Sequence, residues 1–162
     1  MTVDSPRTWP DLAGRIVADA EGRRHHVLPV RVYFEDTDFS GLVYHASYVR
    51  WCERGRSDFL RLLGNDHRGL ISGQTGSEPA AFVVRRMSFD FRRPARIDEV
   101  LEVVTRTNET GAAHLLLDQR IMRDGREIVT AEVQVVLVSV SGKPLRLTDA
   151  IKAAFSADKG GP

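Results

Sequence analysis

Within residues 30–64 the hydrophobic period of the sequence changes from that of a strand to that of a helix, and this change constrains the fold more than any other feature. Around Val30 and Val32, apolar side chains alternate with others, which predicts a half-buried strand over residues 27–34. From residue 47 to residue 63 the apolar positions recur every three or four residues, which predicts an amphipathic helix. A polar turn, EDTDFSG, joins the two segments. The chain therefore enters a long helix directly from a strand.

Two small residues lie on the apolar side of this predicted helix. Glycine inside a helix costs ~1 kcal/mol relative to alanine, so Gly55 predicts close approach to another part of the backbone. Cys52 is the single cysteine of the chain, which excludes an internal disulfide. We predict that Cys52 is a small core residue, because buried cysteines usually behave as hydrophobic side chains.

Downstream of the helix, the sequence has the pattern of an antiparallel meander. A loop rich in glycine and serine is predicted at residues 66–79, and Asp124-Gly125 is a strong signal for a two-residue hairpin. Apolar segments predict strands at residues 81–92, 100–107, 115–123 and 127–140, followed by a short helix at 148–155. Because strands and helices do not alternate, the pattern predicts an α+β fold rather than a doubly wound parallel sheet.

The first meander strand is predicted to have two unlike faces. On one predicted face lie Phe82 and Val84. On the other lie Val83, Met87, Phe89 and Phe91. One helix covers only one face of such a sheet. The long apolar strands need more cover, and we therefore predict self-association.

Length and composition give the domain organisation. A chain of 162 residues predicts one domain with a real core. We place this domain at residues 28–157, after a loosely attached, partly flexible extension at residues 1–27 with a short helix that starts near Thr8 and ends at Gly22. The last five residues, 158–162 (DKGGP), are predicted to be a disordered tail.

Charge and hydropathy exclude several function classes. The net charge of +1 gives no electrostatic basis for binding nucleic acid. The first residues lack the apolar run of a secretory signal, and no segment approaches the ~20 apolar residues of a membrane span. We therefore predict a cytoplasmic protein without a transmembrane segment. A peripheral contact with the inner membrane stays open.

The polar turn holds the candidate chemistry, and its pattern fits several interpretations. Asp36, Asp38 and Ser40 match the start of a calcium loop, but Ser47 stands where that loop needs a bidentate glutamate. An apolar strand followed by Asp36 and Asp38 also matches aspartate-nucleophile phosphatases, which use magnesium, although the alternating scaffold of those enzymes is missing. We predict no metal site.

A third interpretation combines a carboxylate with the start of a helix. N–H groups of a first helical turn have no internal partner and can hold a developing oxyanion, while the carboxylate attacks or activates water. That pair suits hydrolysis of an acyl group with a good leaving group, such as a thiolate. From the pattern alone, this interpretation is about even with a structural one, in which Asp36 and Asp38 cap turns and His45 caps the helix.

Two longer segments carry a family resemblance. YFEDTDFSGLVYHASYVRWCERGR and VVRRMSFDFRRPARIDEVLEV resemble the hotdog-fold acyl-CoA thioesterases of the 4-hydroxybenzoyl-CoA thioesterase type, and most of all the Tol–Pal-associated, YbgC-like branch. The resemblance covers roughly residues 28–140. It implies a long central helix wrapped by a five- or six-stranded antiparallel sheet, and homodimers or homotetramers with active sites between subunits. It also implies a thioester hydrolase without a cofactor, since CoA enters as part of the substrate.

The same resemblance assigns roles by position. It implies that Asp38 is the nucleophile or general base, that the backbone N–H of His45 is the oxyanion donor, and that Tyr44 and the His45 imidazole orient substrate or water. Asp36 is interpreted as a turn former. The substrate-binding residues expected for the CoA phosphates and the acyl group are Arg85, Arg86, Arg106, Ser88 and Phe89.

Partners follow from the same source. The expected substrate is a small to medium acyl-CoA, and the basic clusters at residues 23–26 and 92–96 would suit acyl carrier protein as an acidic partner. The alternatives are a non-catalytic hotdog protein that binds acyl-CoA or acyl carrier protein, and an aspartate-based phosphatase. The presence of Asp38 favours the hydrolase over the binding protein.

Overall fold

The structure, a computed structural model, describes residues 10–73 and 78–156. Its strands are β1 Arg15–Ala18, β2 Arg24–Arg31, β3 Ala80–Phe91, β4 Val100–Thr110, β5 His114–Arg123 and β6 Arg126–Ser139. Its helices are α1 His45–Leu62, α2 His67–Ser72 and α3 Asp149–Ser156, and a 3₁₀ turn, Phe34–Asp36, precedes α1. The strands form one sheet in the order β1-β2-β4-β5-β6-β3, with every neighbouring pair antiparallel.

The long helix α1 packs against one face of this sheet. Trp51 and Cys52 are fully buried in its contact with β2, β4 and the start of β6. A Cβ atom on Gly55 would lie 2.9 Å from Cγ1 of Val103 in β4, so the helix approaches the sheet closely here, but the contact is with side chains and not with backbone as predicted. Burial also raises the pKa of the Cys52 thiol to about 12, as expected for a core residue. The α+β fold with a central helix and an antiparallel sheet is confirmed, with six strands.

The second half of α1 packs against α3. The ring of Phe155 lies 5.4 Å from that of Phe59 and 6.5 Å from that of Phe82, measured between centroids. The hydroxyl of Thr148 accepts the N–H of Ile151 at 3.2 Å and caps the helix, so the predicted last helix is confirmed. The predicted tail at 158–162 lies outside the described residues.

The N-terminal helix predicted between Thr8 and Gly22 is wrong over the described residues, and Thr8 lies outside them. Residues Arg15–Ala18 form a strand that pairs with β2, and β2 itself begins at Arg24, three residues earlier than predicted. The side chain of Asp19 accepts the N–H groups of Glu21 and Arg23, and Gly22 adopts a φ of 77°. Gly22 therefore closes a β-hairpin rather than ending a helix.

The long loop predicted at residues 66–79 contains a helical turn that the sequence pattern did not indicate. The carboxylate of Asp66 accepts the N–H of Gly69 at 2.6 Å and caps α2. Gly73, with a φ of 70°, ends it. Leu70 is buried by this turn, which gives α2 a place in the core.

The two faces predicted for β3 are wrong because the strand contains a bulge. The register with β6 shifts between Val84 and Arg86. The extra residue reverses the alternation, so that five apolar side chains pair with residues of β6 that face the helix: Phe82, Val84, Met87, Phe89 and Phe91. The bulge therefore gives β3 one apolar face along its whole length.

β3 is also an edge of the sheet. Its partner is β6, and within the described residues its other edge is open. Several of its apolar side chains remain exposed, with Val83 at 41% and Met87 at 45% of their full accessibility. A long, exposed apolar edge is a surface that natural proteins usually cover. In the described ranges, no helix is long and apolar enough to cross a membrane.

Candidate active site

Asp36 ties the polar turn to the start of α1. Its buried carboxylate accepts the N–H of Tyr33 at 2.9 Å, which closes the 3₁₀ turn. Its carbonyl accepts the N–H of Tyr44 at 2.8 Å and the hydroxyl of Ser47 at 3.3 Å. Both the side-chain carboxylate and the backbone carbonyl of Asp36 are therefore engaged within the protein, in keeping with Asp36 as a turn former.

Asp38 lies at the tip of a small hairpin between this turn and the helix. Thr37 pairs with Val43, and the N–H of Asp38 donates to the carbonyl of Leu42 at 3.0 Å. The Asp38 carboxylate is exposed and accepts both the hydroxyl and the N–H of Ser40. These two bonds, the hydroxyl first, hold the pKa of Asp38 below its ordinary value of 3.8. Asp38 is therefore an accessible, ionised carboxylate at neutral pH.

The N-terminus of α1 is left without a capping side chain. Tyr44 occupies the cap position and makes no side-chain cap bond, and the first turn contains no acidic residue. The positive end of the helix dipole and the first N–H groups therefore stay free to interact with an incoming oxygen. Tyr44 and His45 are both exposed, with ring centroids 4.4 Å apart.

The loop between β3 and β4 fixes the position of this turn. Leu42 forms a bridge with Arg96, and the N–H of Val43 donates to the carbonyl of Ala95 at 2.9 Å. The N–H of Ala95 in turn donates to the hydroxyl of buried Tyr48 at 2.9 Å. Burial raises the pKa of Tyr48, so this hydroxyl is neutral. The turn that contains Asp38 is thus anchored to the core.

Phe91, at the end of β3, lies next to the start of α1. Its ring centroid lies 6.3 Å from that of His45 and 5.8 Å from that of Tyr48. Phe89 stacks on Phe91 at 5.8 Å and packs against the core. The helix-facing side of β3 therefore leads towards the start of α1, and Phe89 lies on that side.

The other predicted substrate-binding residues do not gather here within one chain. Arg86 pairs with Gln134 and Ser88 with Glu132, which places both side chains on the sheet face turned away from α1. Arg85 is exposed at the bulge. Ser88 and Phe89 therefore lie on opposite faces.

Arg106 is also remote from the turn. It lies six residues beyond Val100, which pairs with the end of β2, so about 20 Å of strand separates it from that end of the sheet. Its guanidinium faces outward, 4.0 Å from the carboxylate of Asp19. Within one chain, these four residues therefore do not form one site with Asp38.

Two residues support the site through contacts that the sequence did not specify. Ser40 holds the carboxylate of Asp38, and its position two residues after an aspartate is the ordinary signal for a side chain to backbone turn. Tyr48 anchors the β3–β4 loop, and no local signal distinguishes it from other apolar-face aromatics. Among the residues that the structure describes, no cluster of three or more His, Cys, Asp or Glu could hold a metal ion.

Comparison with known proteins assigns the family. The model of the thioesterase-like superfamily matches residues 32–155, which include the turn, α1 and the four strands β3 to β6. The chain belongs to the thioesterase-like superfamily. The match contains every residue proposed above for the thioesterase-like site.

Two curated relatives from different bacteria are named for the same activity. The acyl-CoA thioesterase YbgC of Haemophilus influenzae is 39% identical over 128 residues, 78% of this chain and 91% of that protein. The acyl-CoA thioester hydrolase YbgC of Escherichia coli is 41% identical over 129 residues, 78% of this chain and 92% of that protein. The crystal structure of a probable thioesterase from Bartonella henselae matches with a TM-score of 0.73 at 45% identity, over 76% of this chain and 99% of that one. The YbgC-like branch is thereby confirmed.

Removal of the Ser40 hydroxyl should change the pH dependence of the site. Because that hydroxyl is the first cause of the lowered pKa of Asp38, Ser40→Ala should raise this pKa. If activity needs ionised Asp38, the acid limb of kcat/KM against pH moves to higher pH in Ser40→Ala. Ser40→Thr keeps a hydroxyl and should match the wild type. An unchanged acid limb in Ser40→Ala would show that the limb does not report Asp38.

Proposed function

We propose that the protein hydrolyses the thioester of a small to medium acyl-CoA to the free acid and CoA. The observation that carries this proposal is an exposed, ionised Asp38 in a hairpin that leads directly into an uncapped helix N-terminus at His45. The reaction named for the YbgC relatives supports the same chemistry.

The proposed chemistry gives Asp38 and the start of α1 different roles in one transition state. The thioester carbonyl oxygen approaches the N–H of His45, where the helix dipole stabilises the developing negative charge. Asp38 either takes a proton from the attacking water, or attacks the carbonyl carbon to form a mixed anhydride that water hydrolyses after CoA has left, which releases the acid and regenerates Asp38. The C–S bond then breaks and CoA leaves as a thiolate, which needs little acid assistance because a thiol has a pKa of ~8.5. Tyr44 and the His45 imidazole are proposed to orient substrate or water.

We further propose that a second copy of the chain completes the site. Phe34 at 81% and Phe39 at 104% of full accessibility surround the turn as an exposed apolar patch, and the β3 edge is open beside it. The substrate-binding roles proposed for Arg85, Arg86, Ser88 and Arg106 need such a copy, since one chain keeps these residues away from Asp38. A homodimer or homotetramer fits this requirement.

The oligomer is tested at the β3 edge. Light scattering is expected to give at least a dimer for the wild type. Lysine at Val83 or Met87 should shift the protein towards monomer and lower hydrolysis in parallel, because charged edge residues oppose strand pairing. Val104→Lys, on the interior strand β4, is the matched control and should stay oligomeric. A fully active wild-type monomer would contradict the proposal.

Acyl carrier protein remains a proposed partner with limited support from the contacts. Arg23 pairs with Asp19 and Glu21, and Arg92 with Asp90 and Glu127, so much of the charge in both basic clusters is balanced within the chain. His26 is fully buried and offers nothing to a partner. A cytoplasmic location stays a prediction.

A hydrolysis panel tests the function itself. Release of free thiol should be followed for short aliphatic, long-chain and aromatic CoA thioesters. We expect hydrolysis of at least one short or medium acyl-CoA, and the panel then gives the acyl preference. Saturable binding of acyl-CoA without hydrolysis would instead favour the non-catalytic alternative. The phosphatase alternative loses its basis, because the turn is set in an antiparallel sheet.

A further inference from the structure

The hairpin that carries Asp38, at residues 37–43, is fixed to α1 at its first end. The carbonyl of Asp36 accepts the N–H of Tyr44 at 2.8 Å and the hydroxyl of Ser47 at 3.3 Å. Both donors belong to the start of α1, one at its cap position and one in its first turn. This end of the hairpin therefore follows the position of the helix.

The second end of the hairpin is connected to α1 through the loop between β3 and β4. The N–H of Val43 donates to the carbonyl of Ala95 at 2.9 Å, and the N–H of Ala95 donates to the hydroxyl of Tyr48 at 2.9 Å. Ala95 is fully buried. A single residue of the loop thus links the hairpin to a side chain of the helix.

The side chain of Tyr48 is held in place by the core. It is 3% exposed, and its ring centroid lies 5.4 Å from that of Trp51 and 5.8 Å from that of Phe91. Because the ring is packed, the position of its hydroxyl follows the position of α1. Tyr48 lies three residues after His45, about 4.5 Å along the same helix. The helix therefore carries both the N–H proposed to bind the oxyanion and the hydroxyl that holds the loop.

We propose that Tyr48 is a positioning residue for thioester hydrolysis, whose hydroxyl sets the distance between Asp38 and the N–H of His45. This role rests on the proposed function. Tyr48 does not touch the substrate and acts through Ala95. Without the hydroxyl, the buried N–H of Ala95 loses its acceptor, so the loop and Val43 shift to satisfy it. A displacement of about 1 Å at a reacting group can cost about a hundredfold in rate.

Tyr48→Phe tests this role, because it removes the hydroxyl and keeps the packed ring. In the full-length protein, kcat for the best acyl-CoA of the hydrolysis panel should fall about tenfold to a hundredfold, while KM changes less than about twofold. The acid limb of kcat against pH should stay in place, because both bonds from Ser40 to Asp38 remain. Thermal unfolding verifies that the variant is folded at the assay temperature.

Amide hydrogen exchange gives a readout that needs no substrate. In Tyr48→Phe the amides of Val43 and Ala95 should exchange faster than in the wild type, since the loop that holds them has lost a bond to the core. The amides at residues 55–60 of α1 should keep wild-type rates. A general loss of stability would instead raise exchange throughout the helix.

Three further variants serve as controls. Tyr33→Phe removes the same atom from an exposed tyrosine and should keep the wild-type kcat. Ile151→Val removes one buried methyl group from α3, so it should lower the Tm and also keep the wild-type kcat. Ser47→Ala should cost less than loss of the tyrosine hydroxyl, because the N–H of Tyr44 still holds the carbonyl of Asp36.

Three outcomes would overturn the positioning role. The first is a wild-type kcat in folded Tyr48→Phe. The second is an equal loss of kcat in Ile151→Val, which would assign the effect to stability. The third is a lowered kcat with wild-type exchange at Val43 and Ala95. A wild-type protein that hydrolyses none of the thioesters contradicts the proposed function, and the positioning role with it, whereas the first three outcomes leave the proposed function intact.

Discussion

Replacement of Asp38 by asparagine is expected to lower kcat/KM for acyl-CoA hydrolysis by about a hundredfold to ten-thousandfold, the usual contribution of a positioned acid–base group. The amide can neither attack the thioester nor accept a proton from water. The fold should survive, since the Asp38 side chain is exposed and, among the described residues, accepts hydrogen bonds only from Ser40. The amide oxygen of asparagine can still accept these bonds. The measurement is the rate of thiol release, with thermal unfolding to verify the fold.

Two controls separate this effect from a general change of charge or shape in the turn. Glu35→Gln removes an exposed carboxylate three residues away and should keep wild-type activity. His45→Ala should cost less than Asp38→Asn, because the role proposed for His45 belongs chiefly to its backbone N–H. If Asp38→Asn hydrolyses acyl-CoA at the wild-type rate, Asp38 is not the catalytic carboxylate.

The parts of the fold that the sequence predicts well are those with a strong period. α1 and the four long meander strands have many apolar positions, so an error at one residue does not obscure the pattern. β1 has four residues, and within it the adjacent pair Ile16 and Val17 fits a helix stripe as well as a strand. This segment is a strand because it pairs with β2, and the local sequence does not contain that information. Gly22 is equally compatible with a helix end and a hairpin.

The faces of β3 show a second limit. Alternation predicts faces correctly only while the register is continuous, and a bulge between Val84 and Arg86 shifts every later side chain to the other face. Neither residue is a glycine that would have marked the bulge. For this reason the turn with Asp38 and the helix start could be predicted from sequence, whereas the sides to which Arg86, Ser88 and Phe89 point could not.

Leucine in place of Gly55 is expected to lower the free energy of unfolding by roughly 2–5 kcal/mol, from overpacking and from loss of a buried hydrogen bond. A Cβ at this position already lies 2.9 Å from Cγ1 of Val103, 3.2 Å from Oγ1 of Thr105 and 3.4 Å from Nε2 of Gln119. The rest of a leucine side chain would separate Gln119 from Thr105, which are bonded at 2.9 Å. Denaturant unfolding, with total stability of ~5–15 kcal/mol for a domain, measures the loss.

A graded series at Gly55 tests the cause. Gly55→Ala gains ~1 kcal/mol of helix propensity, which should offset much of the crowding from one methyl group, so it should lie close to the wild type. Arg54→Leu places the same leucine on the exposed side of α1 and should change stability little. Because the helix also presents His45 at its start, a shift of α1 away from β4 in Gly55→Leu should lower hydrolysis in any protein that remains folded. Wild-type stability of Gly55→Leu would mean that α1 and the sheet are not in close contact here.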